Sequence, residues 1–217
     1  GRAGLVHNIS SDALEIEIAD VDAVNDTSGN IELDEVTDGL LISRLTNTTA
    51  GGITVTTLGA TEIEAAGGGV STGDASAISI TVGNDASLTV NDGGPSQGGA
   101  VTLRADDDVL FGADGDVSSN NGAVTVTADN DGDANTTGGA LTMADGTVID
   151  AGNGTIALSA DEDITLGSVQ TTNATAGAVD VNTVNGAIVD GGDAATDIIA
   201  NSGGAVVTLK AETGIGS

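Results

Sequence analysis

Gly98-Gly99-Ala100-Val101-Thr102-Leu103-Arg104-Ala105-Asp106-Asp107-Asp108-Val109 is the stretch on which the fold turns. Val101, Leu103 and Ala105 alternate with Thr102 and Arg104, the period-two pattern of a half-buried β-strand. Three acids then mark a turn. The unit returns along the chain. It recurs as Gly138-Gly139-Ala140-Leu141-Thr142-Met143, as Gly154-Thr155-Ile156-Ala157-Leu158-Ser159-Ala160, as Gly177-Ala178-Val179-Asp180-Val181 and as Gly204-Ala205-Val206-Val207-Thr208-Leu209. Weaker copies begin at Gly29, Gly52, Ala77 and Gly122, and the spacing of all nine copies averages about 22 residues. A strand unit that cannot bury its apolar face alone must stack on its neighbours, so the repeat reads as a solenoid.

Composition agrees. The 217 residues include 34 Gly, 1 Pro, 1 Phe and no Trp, Tyr or Cys. Globular cores draw much of their buried area from aromatic groups. Here the core must be thin layers of Val, Ile, Leu and Ala, which is all that a narrow solenoid needs. High Gly and charge raise the alternative of disorder. The hydrophobic fraction of 39% and its alternation with polar residues oppose that alternative. No segment has a helical period. The best helix candidate, Asp12 to Val24, alternates through Leu14, Ile16 and Ile18 and suits a strand better.

The expected fold is all-β: one parallel β-helix over residues 1–217, with 9–10 coils of roughly 22 residues, residues 1–28 being its less regular N-terminal part. Each coil has room for two or three strands joined by turns. At about 4.8 Å per coil the rod is roughly 45 Å long. Its two ends are open strand edges, and edges invite pairing unless they are capped. The sequence offers no evident cap, so the rod is expected to stack end to end on itself or to continue into similar segments of a longer chain.

The formal net charge is −29, from 33 acidic and 4 basic residues. Phosphate binding needs clustered Lys and Arg, so nucleic acid is not an expected partner, and neither is an anionic membrane. No apolar run approaches the length of a membrane span. Such charge favours solubility and calls for screening by salt or divalent cations.

The strings Gly98-Gly99-Ala100-Val101-Thr102-Leu103, Asp161-Glu162-Asp163-Ile164-Thr165-Leu166-Gly167-Ser168 and Glu212-Thr213-Gly214-Ile215-Gly216-Ser217 resemble repeats of very large bacterial surface proteins. These are the filamentous-haemagglutinin-like adhesins and related β-strand-repeat exoproteins. The resemblance covers residues 29–217 and is one of repeat style. It implies a right-handed parallel β-helix at the bacterial cell surface, with a role in adhesion, biofilm or sheath formation. It carries no catalytic residues. The chain lacks that family's secretion domain and any receptor-binding module, so it corresponds to the shaft of a fibre.

Acidic clusters are the strongest chemical candidates. Calcium takes six to eight oxygen ligands, which carboxylates and carbonyls at turns can supply. Asp106, Asp107 and Asp108, the triplet Asp129, Asp131 and Asp133, and the pair Asp161 and Asp163 are the candidate calcium ligands. Asp129/Asp131/Asp133 has the spacing of an EF-hand start, but Ala140 stands where that loop needs Glu. The competing reading is of solvated turns that confer solubility. A calcium-dependent adhesin or a module for cell-surface glycans is therefore the second functional reading.

An enzyme is the third reading and the least favoured. His7 is the one histidine, and it has no evident partner for general-base work. Polysaccharide-active β-helix enzymes usually hold sugars on aromatic and basic side chains. This chain offers Phe111, Arg2, Arg44, Arg104 and Lys210, and Phe111 is better placed as core in Val109-Leu110-Phe111. Thr-x-Thr pairs at Thr54/Thr56 and Thr125/Thr127 have the chemistry of ice-binding arrays, but the irregular repeat steps oppose a flat lattice. The first reading is a structural module of an extracellular filament whose partner is another copy of itself.

Overall fold

The computed structural model describes residues 13–64, 68–92, 94, 95, 97, 99–131, 138–192 and 194–216. Nine strands form the first parallel sheet: β1 (Leu14–Ile16), β3 (Ile31–Glu35), β5 (Ile53–Thr57), β8 (Ile78–Val82), β10 (Val101–Ala105), β13 (Val124–Thr127), β16 (Ile156–Ala160), β19 (Val179–Thr183) and β22 (Val207–Lys210). The second sheet alternates with it along the chain: β2 (Asp20–Asn25), β4 (Leu40–Asn47), β6 (Thr61–Ile63), β9 (Leu88–Asp92), β11 (Val109–Asp114), β14 (Leu141–Met143), β17 (Ile164–Leu166), β20 (Ala187–Asp190) and β23 (Gly214–Ile215). Among the described residues there is no helix, and the architecture is a parallel β-solenoid of about eight coils set about 23 residues apart.

A third sheet closes the coils in the C-terminal half. It consists of β12 (Val117–Ser118), β15 (Val148–Asp150), β18 (Ser168–Gln170) and β21 (Ile198–Ile199). In the N-terminal half the long β4 turns from one side to the next. Its residues 40–42 pair with β6, and its residues 44–47 pair with β7 (Gly69–Thr72).

Side-chain period decides what is buried. Leu14, Leu33, Val55, Ile80, Leu103, Val126, Leu158, Val181 and Leu209 are successive ladder partners and form one inward row. From Val55 to Val181 this row is buried completely or nearly so. Each such side chain contributes about 1.5–3 kcal/mol of burial. Val101, Leu103 and Ala105 are buried while Arg104 is exposed, as the alternation predicts. Phe111 lies in the core, 3% exposed, among shorter aliphatic neighbours.

Corners require residues that a row of branched side chains could not provide. Gly99, Gly122 and Gly154 stack at one corner. A Cβ on Gly122 would fall inside the carbonyl of Gly99, and one on Gly154 inside that of Gly122. Asn47, fully buried, fills the corresponding corner near the N-terminus. Its Nδ2 donates to the carbonyls of Gly51 and Gly52 at 2.8 and 3.0 Å. At the opposite corner the Thr57 and Thr61 hydroxyls meet at 2.7 Å.

Against the expected 9–10 coils of roughly 22 residues, the solenoid has about eight, about 23 residues apart, and one of the sequence copies belongs to a different sheet. Leu141–Met143 is not another copy on the first sheet. It is β14 of the second sheet, paired with β11 and β17. Val124 and Ile156 are direct partners, so the two shortest apparent steps are one long coil. The reason is physical: every buried face carries the same apolar alternation, whichever sheet it belongs to. Within residues 1–28, β1 and β2 already pair into the two ladders, β2 with a register shift between Val21 and Asp22.

Candidate functional site: the acidic corner and the end coils

The turns that carry the candidate acids all lie at the corner between the first and second sheets. Asp106, Asp107 and Asp108 join β10 to β11. Asp129 and Asp131 follow β13. Asp161 and Asp163 join β16 to β17. Parallel stacking places these turns above one another, so separate sequence clusters become one acidic edge. Asp133 lies outside the described residues.

Most of these carboxylates act as acceptors for neighbouring coils. Asp106 Oδ2 accepts the Asn84 backbone N–H at 2.8 Å, and its Oδ1 accepts Asn130 Nδ2 at 3.3 Å. Asp107 Oδ2 accepts the Ser87 hydroxyl at 2.7 Å. Asp108 Oδ1 accepts Ala140 N–H at 2.9 Å, and Asp163 Oδ1 accepts Ala187 N–H at 2.7 Å. Both oxygens of Asp161 accept Asn185 Nδ2. The backbone N–H of Asp129 donates to the Asp107 carbonyl at 3.2 Å.

Electrostatics follow from this stacking. Partial burial pushes the Asp106 carboxyl above the ordinary carboxylate value, and the charges of Asp131 and Asp85 act in the same direction. Hydrogen bonds from Asn130 and Asn84 oppose the rise. On the opposite side of the coil, the Ser76 hydrogen bonds hold the half-buried Asp74 carboxyl below its usual value. Among the described residues, no three acidic or histidine side chains converge in a group that could hold a metal ion. The corner thus spreads its charge along an edge.

Sequence reasoning missed the asparagines. The Asn130 and Asn185 side-chain amides lie between acids of neighbouring coils and supply donors that separate like charges, while Asn84 gives Asp106 its backbone N–H. A signal existed: Asp106 and Asn130, and likewise Asp161 and Asn185, are 24 residues apart, one coil in each case. It becomes visible once the coils are aligned on their strands rather than on their glycines.

The end coils differ from the interior. At one end Leu14 is 65% exposed, with Ile18 and Val24 also accessible. At the other, Ile215 is 53% exposed beside Val206 and Val207. A cavity of about 320 Å³ opens there between Leu166, Ile188, Ile198, Leu209 and Ile215. These side chains continue the inward rows, and the described coils leave their last layer uncovered.

No protein-family model matches the chain, and neither does any curated protein or solved structure. The fold is that of β-helix repeat proteins, and it rests on the ladders themselves.

Proposed function

We propose that this chain is a structural module of an extracellular fibre at a bacterial cell surface, built coil on coil and joined end to end to further copies. The observation that carries the reading is the contrast between a sealed interior and open ends. Ile78, Ile80 and Leu103 of the first sheet and Val109, Leu141 and Ile164 of the second are fully buried, while Leu14 and Val207, which continue the rows of the first sheet, and Ile215, which continues that of the second, are exposed. An unpaired parallel edge with apolar side chains on its inner face is a template for another strand. The repeat-style likeness to filamentous-haemagglutinin-like adhesins supports the same reading.

The acidic corner fits a filament in salt water. Its carboxylates face outward along the axis, where calcium or other divalent cations can screen one fibre from the next or bridge two of them. Under this reading a glycan or receptor module belongs to other parts of the fibre.

Electron microscopy of the purified protein with millimolar calcium tests the proposal. Filaments are expected, with an axial repeat close to the rod length of about 40 Å set by nine strands at strand spacing. Short separate rods at every concentration would overturn it.

A further inference from the structure

The first sheet carries an outward row whose two ends bear opposite charges. Ladder partners along this row run from Glu15 to Asp34 at one end and from Asn182 to Lys210 at the other, with Arg104 midway. Glu15 and Lys210 are both exposed, and among the described residues each lies on the last strand of its end. Among the described residues the ion pair Arg44–Asp22, at 2.6 Å, involves neither of them.

We propose that the β22 edge of one copy pairs in parallel with β1 of a second copy, in the register that sets Lys210 against Glu15. This rests on the end-to-end reading above and specifies its contact. Extending the ladder by one step places Leu14 on Leu209, since both belong to the inward row. Lys210 then meets Glu15, and Ala211 meets Ile16. A slip of one residue would turn the apolar side chains outward, and a slip of two would separate Lys210 from Glu15. The incoming coil also brings Leu14 and Ile18 over the open cavity beneath Leu209 and Ile215. Apolar closure supplies attraction, while the charge pair selects the register and the polarity of head on tail. Two like ends would set Lys210 against Lys210 or Glu15 against Glu15.

The test measures association of the purified chain by sedimentation velocity and electron microscopy at low salt. K210E is expected to weaken end-to-end association by about five- to tenfold, because a cross-strand attraction becomes a repulsion. E15K should do the same. The double variant E15K/K210E restores the opposite charges and should recover wild-type assembly, and high salt should compress all these differences. R104E makes the same change in net charge in the middle of the same row and should leave assembly unaltered. Circular dichroism confirms that each variant folds. Assemblies indifferent to K210E, or weakened equally by R104E, overturn the register while leaving the end-to-end reading intact. A wild-type chain that stays monomeric at all concentrations overturns both.

Discussion

Asp161 and Asn185 stand one coil apart, and both carboxylate oxygens of Asp161 accept the side-chain amide of Asn185, at 2.9 and 3.0 Å. A parallel solenoid places equivalent positions about 4.8 Å apart, so acids on every coil would form a column of like charges. The amide interrupts that column and turns a repulsive neighbour into a donor. Asn130 and Asp106 repeat the arrangement.

Replacing the amide by a carboxylate should restore the repulsion. N185D is expected to lower stability by about 1 kcal/mol at neutral pH, the scale of a cross-strand pair changed to like charges. The loss should shrink on acidification, because protonating either carboxyl removes the repulsion. Chemical denaturation of both proteins near pH 7 and near pH 4 checks this.

Asp106 gives the pH dependence a sign of its own. Its folded pKa lies above the unfolded value of 3.8, chiefly through burial. Ionised Asp106 therefore disfavours folding at pH values above its folded pKa. As pH falls through that value the native chain takes up the proton first, and the penalty disappears. The melting temperature of wild type relative to D106N should rise as pH is lowered from about 6 to about 4. A difference that falls over that range would contradict the assignment.

Gly122 should tolerate no side chain. A Cβ there would overlap the backbone of Gly99 and Ala100 in the coil below, and neither group can rotate away. G122A is expected to cost about 1–3 kcal/mol, as for an overpacked core. Thermal denaturation followed by circular dichroism reads the loss. A G177A control, at a position with no atom near the added Cβ, should differ from wild type by less.

Asn47 is a polar group in a corner sealed from water. Its amide satisfies the carbonyls of both Gly51 and Gly52. N47A would remove this donor from two half-buried carbonyls, of which that of Gly52 still accepts the Ile31 N–H, and would empty a sealed corner, at an expected cost of about 1–3 kcal/mol. N47D keeps the size but replaces the donor with oxygen, and should be no better than alanine. Urea titration of the three proteins ranks them.

The sequence by itself determined the repeat, the strand character and the inward faces. Val101, Leu103 and Ala105, and likewise Ile156, Leu158 and Ala160, were legible because alternation is a local property of the chain and each strand spans only a few residues. The acidic turns were legible for the same reason. Which strands share a sheet was not. Leu141–Met143 carries the same signature as Val124–Thr127, and only pairing across coils of unequal length assigns one to each sheet. Tertiary structure alone likewise placed Asp106, Asp131 and Asp161 on one edge, slipped asparagines between them, and set Glu15 and Lys210 at opposite ends of a single row. These are relationships between residues a coil or more apart. They depend on the lengths of the intervening turns, which local periodicity does not encode.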